Sequence, residues 1–221
     1  NTGLSLLHKF KWFGKKWSVA VDAYRTDFTA QVVADYDRSP QQLVFYMLDG
    51  PSYANSALAD VQVQLSKQWE LKVSYRWYQA ETAYDGVLRE RPLVPTHRGL
   101  LDLGYVSKNE KWRFDASLNG FGTARMPSTA ANPEEYRMPD RSPAYATLNA
   151  QITRVLGAWE LYLGGENLTG AMQSRQILSP QDPFGPYFDA SLIWGPVNMQ
   201  MAYFGLRYTL NGKAANTTQH Q

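Results

Sequence analysis

The sequence predicts an all-β fold, an antiparallel transmembrane β-barrel, on three observations. Trp17, Trp69, Trp112 and Trp159 each follow a short polar turn. Each of them opens a run in which apolar and polar residues alternate, and short connections alternate with long ones along the chain. Tryptophan favours the headgroup level of a bilayer, because its ring is apolar while its N–H group is polar. We therefore predict that these tryptophans form a girdle at one membrane interface.

Nine segments show the alternation expected of a strand whose two faces have unlike surroundings. Their apolar faces are formed, in chain order, by Leu6, Phe10 and Trp12; Trp17, Val19 and Val21; Ala57, Val61 and Val63; Leu71, Val73 and Tyr75; Leu101, Leu103 and Tyr105; Phe114, Ala116 and Leu118; Leu148, Ala150 and Ile152; Trp159, Leu161 and Leu163; and Phe204, Leu206 and Tyr208. The intervening positions carry polar groups of both charge signs, such as Glu70 and Lys72. This pattern favours a hydrated lumen, because a charge on the lipid face costs about 2–4 kcal/mol at the bilayer midplane.

The connections between these segments differ in length. The tight ones lie near residues 14–16, 66–68, 108–110 and 156–158, and the long ones near 27–53, 84–95, 124–143 and 169–198. All 12 prolines fall in the long connections, where no ladder N–H has to be donated. Short turns at one end and long loops at the other are typical of outer-membrane barrels. The alternative is a soluble β-sandwich with tryptophans in its core. A sandwich gives no reason for short loops to lie at one end and long loops at the other.

Composition excludes several other classes of protein. The longest apolar run, from Leu43 to Leu48, is far shorter than the roughly 20 residues of a transmembrane helix. A net charge of +2, with Lys and Arg spread along the chain, predicts no nucleic-acid partner. The chain has no cysteine, so disulfides, thiol catalysis and cysteine metal sites are excluded.

The number of predicted strands indicates how the chain fits into a barrel. Nine is odd, whereas single-chain bacterial barrels have even strand numbers. We therefore expect residues 1–210 to be the carboxyl-terminal transmembrane part of a larger barrel, followed by a polar carboxyl-terminal tail at 211–221.

Several stretches resemble TonB-dependent outer-membrane receptors, and the Bacteroidetes-type branch is the most similar. The resemblance is carried by GGENLTG at 164–170, PQDPFGPYFDASLIWGP at 180–196 and MAYFGLRYTL at 201–210. DAYRTDF at 22–28, LDGPSYANS at 48–56, PLVPTHRGLLDLGY at 92–105 and SPAYATLNAQITR at 142–154 extend it over nearly the whole chain. The resemblance implies a barrel of about 22 strands whose lumen is closed by a plug.

The resemblance implies a function and a set of partners. The function is energy-coupled uptake of a scarce nutrient, such as a ferric siderophore, haem or cobalamin, across the outer membrane of a Gram-negative bacterium. The implied partners are outer-membrane lipid, an upstream barrel and plug segment in the same or a separate chain, the TonB energy-coupling protein, and a small-molecule cargo. The alternative function is a passive pore or a scaffold within an outer-membrane complex.

The closing segment also resembles the signal that outer-membrane proteins present to the barrel-assembly machinery. Gly205, Tyr208 and Leu210 fill the positions of that signal in this sequence. The alternative is an ordinary amphipathic strand that contains a glycine.

No residue pattern predicts an enzyme or a resident cofactor. The three histidines, His8, His97 and His220, are far apart and lack metal-ligand spacing, so we predict no metal site. No serine stands in a nucleophile motif, and no carboxylate pair is set against a nucleophile. We therefore predict no catalytic residue and no cofactor.

The long connections instead carry candidate ligand-binding residues. Aromatic side chains supply rigid surface, and guanidinium groups suit anionic ligands such as ferric chelates. The strongest candidates are Tyr136, Arg137 and Arg141, with Tyr84, Tyr187 and Trp194 as further candidates. The alternative is that loop aromatics pack on one another to order the loops.

Overall fold

The computed structural model describes residues 1–39 and 42–210, which form twelve strands and one short 3-10 helix. The strands are β1 (Thr2–Trp12), β2 (Lys15–Asp27), β3 (Val32–Asp35), β4 (Val44–Met47), β5 (Ser52–Gln64), β6 (Trp69–Tyr84), β7 (Val87–Glu90), β8 (His97–Val106), β9 (Trp112–Phe121), β10 (Tyr145–Leu156), β11 (Trp159–Glu166) and β12 (Met201–Tyr208). The 3-10 helix covers Glu134–Tyr136. The predicted tail at 211–221 lies outside the described residues.

Nine strands form one antiparallel path in the order β1-β2-β5-β6-β8-β9-β10-β11-β12. They coincide with the nine segments predicted from alternation, and the all-β antiparallel prediction is confirmed. Every neighbour on this path is the next long strand along the chain, so the sheet is a simple meander. The sheet is open, with β1 and β12 at its edges.

The strand register separates apolar and polar residues onto opposite faces of the sheet. One row across six strands is apolar throughout: Val19, Val61, Val73, Leu101, Leu118 and Leu148. The adjacent row on the other face is polar throughout: Ser18, Gln62, Lys72, Asp102, Ser117 and Asn149. A slip of one residue would exchange these faces, so the pattern fixes the register.

The short connections at one end of the sheet are flanked by aromatic residues. They comprise residues 13–14, 65–68, 107–111 and 157–158, close to the predicted positions. Trp69 lies 4.6 Å from Tyr105 between ring centroids, and Trp159 lies 4.6 Å from Tyr208. The guanidinium of Arg154 stacks 4.5 Å above the ring of Trp112. Exposed aromatic rings therefore follow the turn end of the sheet, and their role as a membrane girdle stays a prediction.

Four long loops join the strands at the other end: loop A (28–51), loop B (85–96), loop C (122–144) and loop D (167–200). Two of them contain strands that the alternation pattern did not predict. In loop A, β3 pairs with β4, and in loop B, β7 folds back onto the end of β6. Asp85 and Gly86 have positive φ angles of 48° and 76°, which suits a tight hairpin turn. The predicted loop start at residue 84 is therefore corrected to residue 85.

Candidate functional site

Loops C and D enclose a cavity of about 400 Å³, which we call the loop pocket. Its wall combines three exposed arginines with apolar and small side chains. It is lined by Met126, Arg137, Met138, Pro139, Arg141, Ser142, Pro143, Ser174, Arg175 and Trp194. Arg137, Arg141 and Trp194 were predicted from the sequence as ligand candidates, and the fold brings these three together.

A small hydrophobic core supports the floor of the loop pocket. Met126, Leu178 and Leu192 are buried against one another, and Met138 and Trp194 pack on them. Loop C folds back on itself here, since Arg125 and Arg141 form an isolated antiparallel bridge. The cavity is thus built on a packed base that joins loop C to loop D.

Gln173, which the sequence reasoning did not identify, holds Trp194 in the wall of the pocket. Its side chain is 1% exposed. Its Nε2 donates to the carbonyls of Arg175 at 2.7 Å and Leu192 at 2.8 Å, and its Oε1 accepts from the backbone N–H of Trp194 at 3.0 Å. Because this buried amide makes all of these hydrogen bonds, it fixes the backbone around it. No spacing motif signals such a residue, because its partners are main-chain groups.

Asn167 closes the base of loop D and explains part of the GGENLTG stretch. It has a φ of 50°, and its Nδ2 donates to the carbonyls of Ala171 at 2.8 Å and Asn198 at 3.2 Å. Asparagine tolerates this left-handed conformation better than most residues. The amide thereby joins the two ends of loop D.

Each of the three pocket arginines uses only part of its guanidinium for contacts within the protein. Nε of Arg137 donates to the Asn132 carbonyl at 2.8 Å, and Nη1 of Arg175 donates to the Glu135 carbonyl at 2.9 Å. Arg141 forms an ion pair with Glu90 at 2.9 Å. A guanidinium has five N–H donors, so each side chain is oriented and still has donors for a ligand. Two of the three positive charges have no acidic partner among the described residues.

The other predicted ligand residues lie around the pocket. Tyr136 and Tyr187 stack on each other with ring centroids 5.3 Å apart, and the hydroxyl of Tyr136 accepts a bond from Gln181 at 3.0 Å. Tyr84 is 3% exposed and lies under the guanidinium of Arg125 at 5.7 Å. Tyr84 is therefore packed beneath the loops, and it does not line the pocket.

Loop A is fastened to loop C beside the pocket. Asp37 accepts a hydrogen bond from the Ser128 N–H at 2.8 Å and forms an ion pair with Arg125 at 2.9 Å. Within loop A, Asp35 accepts a hydrogen bond from the Tyr46 hydroxyl at 3.0 Å. Burial, and then this hydrogen bond, raise the pKa of Tyr46, so the phenol stays protonated as a donor.

Two kinds of feature are absent from residues 1–39 and 42–210. No group of three or more His, Cys, Asp or Glu side chains is placed to hold a metal ion. No helix in this part of the chain has the length and apolar character needed to cross a membrane.

Comparison with solved structures finds receptors of the outer membrane. The ferric-catecholate import receptor Fiu from E. coli K12 matches with a TM-score of 0.62 and 15% identity, over 94% of this chain and 27% of Fiu. The siderophore receptor PiuA from Acinetobacter baumannii matches with a TM-score of 0.55 and 13% identity, over 93% of this chain and 28% of PiuA. The ferripyoverdine receptor of Pseudomonas aeruginosa matches with a TM-score of 0.55 and 12% identity, over 93% and 26% of the two chains. The chain thus spans less than a third of each receptor.

The comparison with protein-family models agrees with the comparison with solved structures. A search of curated proteins found no match. The family model for the TonB dependent receptor-like β-barrel matches residues 5–168. This match confirms the resemblance to TonB-dependent receptors and places the chain in the outer membrane of a Gram-negative bacterium, while the Bacteroidetes-type branch stays a prediction. The chain belongs to the TonB-dependent receptor β-barrel family.

Proposed function

We propose that this chain forms part of the wall and the outer loops of a receptor that imports an anionic metal chelate by energy-coupled transport. The observation that carries the proposal is the loop pocket, where Arg137, Arg141 and Arg175 surround a cavity beside Trp194. Guanidinium groups bind carboxylate and catecholate oxygens through paired N–H donors, and an indole ring adds apolar surface for a ligand. Ferric siderophores combine these two kinds of surface, and haem does so through its propionates.

The size of the cavity agrees with this class of cargo. Sites for small ligands usually measure about 300–1,000 Å³ and are mostly apolar with a few placed polar groups. The loop pocket has a volume of about 400 Å³. Fiu, PiuA and the ferripyoverdine receptor are by name receptors for ferric catecholates, siderophores and ferripyoverdine, and the proposal extends this class of cargo to the present chain.

The proposal includes the partners that the family implies. Energy would come from TonB acting on a plug, and the plug and the remaining strands would come from an upstream segment or a separate chain. The cargo would contact the loop pocket first, because the pocket opens among the long loops. The polar face of the sheet would then line the route inwards.

The test uses the complete receptor that carries this chain, purified in detergent. Binding is measured through quenching of intrinsic tryptophan fluorescence by a panel of ferric tricarboxylate, ferric catecholate and ferric hydroxamate chelates, haem and cobalamin. We expect an anionic member to bind, and we expect Arg137→Gln with Arg175→Gln to weaken it by about tenfold or more, since a hydrogen bond to a charged group contributes about 1.5–3 kcal/mol.

Arg38→Gln is the matched control. It removes one positive charge from loop A, where Arg38 pairs with Asp85 at 2.6 Å on the surface, and it should leave binding unchanged. Equal binding by the receptor with and without the Arg137 and Arg175 changes would contradict the proposed site. A preference for cationic cargo would contradict the ligand class.

A further inference from the structure

Two arginines on the polar face of the sheet stand directly opposite each other, without an acidic partner among the described residues. Arg76 in β6 is paired in register with Arg98 in β8. In the described part of the chain, neither guanidinium takes part in an ion pair, and Nε of Arg76 is buried with no hydrogen-bond partner. Like charges directly opposite each other destabilise an antiparallel pair. Within residues 1–39 and 42–210 the site therefore has no counter-charge.

Three other cations on the same face have acidic partners. Arg113 and Arg207 both bind Glu160, at 3.1 Å and 3.2 Å, and Lys72 lies 3.9 Å from Asp60. All of these residues share the polar face with Arg76 and Arg98, as the register shows. Lys11 and Lys16 are also opposed on this face without an ion-pair partner among the described residues, so the Arg76–Arg98 pair is distinguished by its forked guanidinium donors and by the buried, unpartnered Nε of Arg76.

Aromatic rings position both guanidiniums. Arg98 lies over the ring of Phe121 at 4.5 Å, and Arg76 lies over the ring of Tyr78 at 5.2 Å. Such cation–π contacts attract the cation and fix the plane of the group. They use the face of the guanidinium, so the terminal Nη donors along its edge stay open to an oxyanion.

The same rings connect this pair to the loop pocket. Phe121 stacks on Tyr145 with centroids 4.6 Å apart, and Tyr145 contacts Trp194 at 5.8 Å. Trp194 lines the loop pocket. A continuous series of aromatic rings thus runs from the loop pocket to the arginine pair on the wall.

We propose that Arg76 and Arg98 form a second anion-binding site on the polar wall, which receives a carboxylate or phosphate group. Two adjacent guanidiniums offer paired N–H donors with the geometry that such groups accept. The bound oxyanion supplies the missing counter-charge. The inference that the oxyanion is part of the cargo leaving the loop pocket rests on the proposed function. The inference that Arg76 and Arg98 bind an oxyanion does not rest on it.

The experiment measures binding by the complete receptor in which Arg137→Gln and Arg175→Gln have weakened the loop pocket. Citrate and inorganic phosphate are the probes, and isothermal titration calorimetry is the readout. We expect at least one probe to bind. We expect Arg76→Gln with Arg98→Gln to weaken that binding by about tenfold or more, as charged hydrogen bonds are lost. Preference for citrate over phosphate at equal concentration would favour the carboxylate group of a chelate.

Two controls make the result specific to this pair. Arg113→Gln removes a positive charge from the same face but leaves Glu160 bound to Arg207, so it should not change binding. Arg76→Lys with Arg98→Lys keeps the charges and removes the forked donors, so it should bind more weakly than the arginine receptor.

Several outcomes would overturn the proposal. One is that neither probe binds. Another is that Arg113→Gln weakens probe binding as much as Arg76→Gln with Arg98→Gln does, which would indicate a general effect of lumen charge. The melting temperature without ligand is the last readout. We expect it to stay unchanged or rise in the Arg76→Gln, Arg98→Gln receptor, because repulsion is relieved. A fall would mean that an acidic polypeptide side chain occupies the pair. This experiment does not measure uptake or binding in the loop pocket. A negative result here therefore leaves the proposed function to its own test.

Discussion

Asp37 and Arg125, 88 residues apart in the sequence, form an ion pair of 2.9 Å that joins loop A to loop C. The carboxylate is 7% exposed and the guanidinium 17% exposed, so solvent screens this pair less than it screens the surface pairs. Arg125 also donates to the carbonyl of Glu90 at 2.6 Å and stacks on Tyr84. This arginine thereby connects loops A, B and C beside the loop pocket.

Replacing Asp37 with alanine should loosen loop C. The Ser128 N–H would lose its acceptor and Arg125 its ion partner, and hydrogen bonds to charged groups contribute about 1.5–3 kcal/mol. We expect amide exchange around Ser128 to accelerate by about tenfold or more, measured by hydrogen–deuterium exchange of the complete receptor.

Asp85→Ala is the control for this change. Asp85 pairs with Arg38 on the surface, where ion pairs contribute about 0–1 kcal/mol. Exchange in loop C should be unaffected. If Asp37→Ala also leaves exchange at Ser128 unchanged, the ion pair does not hold the two loops together.

Gly205→Ala should destabilise the pairing of β11 with β12. Tyr162 lies across the strand pair on Gly205, and a methyl group at residue 205 would overlap its ring. Overpacking of this kind costs about 1–3 kcal/mol. Heat-induced unfolding of the receptor in detergent should occur at a lower temperature, whereas Gly104→Ala, with its nearest contact at 3.9 Å, should have little effect.

A double variant separates this packing role from the predicted assembly signal at Gly205, Tyr208 and Leu210. If Gly205 is required only to accommodate Tyr162, adding Tyr162→Ala to Gly205→Ala should restore the amount of receptor assembled in the outer membrane. If the assembly machinery reads the glycine itself, the double variant should assemble as poorly as Gly205→Ala alone.

The tryptophans at the turn end should lie at the headgroup level of the membrane. Receptors that retain one tryptophan at a time, at residue 69, 112 or 159, are placed in bilayers with lipids brominated at known depths. We expect lipids brominated close to the headgroups to quench these residues most strongly, because the indole prefers the interface. Trp194 in the loop pocket should not be quenched. Strongest quenching of Trp69, Trp112 and Trp159 by lipids brominated near the bilayer centre would contradict the girdle.

Gln173→Met should displace Trp194. The thioether has nearly the same length but cannot bond the Leu192 carbonyl or the backbone N–H of Trp194, and each buried group left unpaired costs about 1–3 kcal/mol. In a receptor with Trp194 as the single tryptophan, we expect the emission maximum to move to longer wavelength. The control is Gln176→Met, also in loop D, which loses one bond at 3.0 Å and should leave the emission unchanged.

The sequence was sufficient to predict the nine wall strands because lipid and lumen impose opposite demands on alternate residues. The apolar row through Val61 and Val73 and the polar row through Gln62 and Lys72 follow directly from this rule. The hairpin of β6 and β7 does not follow from alternation, although Asp85-Gly86 is a hairpin turn signal, because the four residues of β7, VLRE, do not alternate.

The candidate site was predictable only in part. Arginine and aromatic residues in loops are a compositional signal, and three of the six predicted ligand residues line the loop pocket. Gln173 and the Arg76–Arg98 pair depend on contacts between distant segments, which have no period in the sequence. Tyr84 was expected in a loop, but it packs under Arg125 because β6 continues through it.

Energy dependence of uptake is the most direct test of the proposed function. Cells whose iron supply depends on the complete receptor are given radiolabelled iron as the chelate that binds best, with and without a protonophore that abolishes the proton gradient. We expect uptake to stop with the protonophore and to fall strongly in the Arg137→Gln, Arg175→Gln receptor. Uptake that continues at the same rate without the gradient would contradict energy-coupled import and would indicate a passive pore.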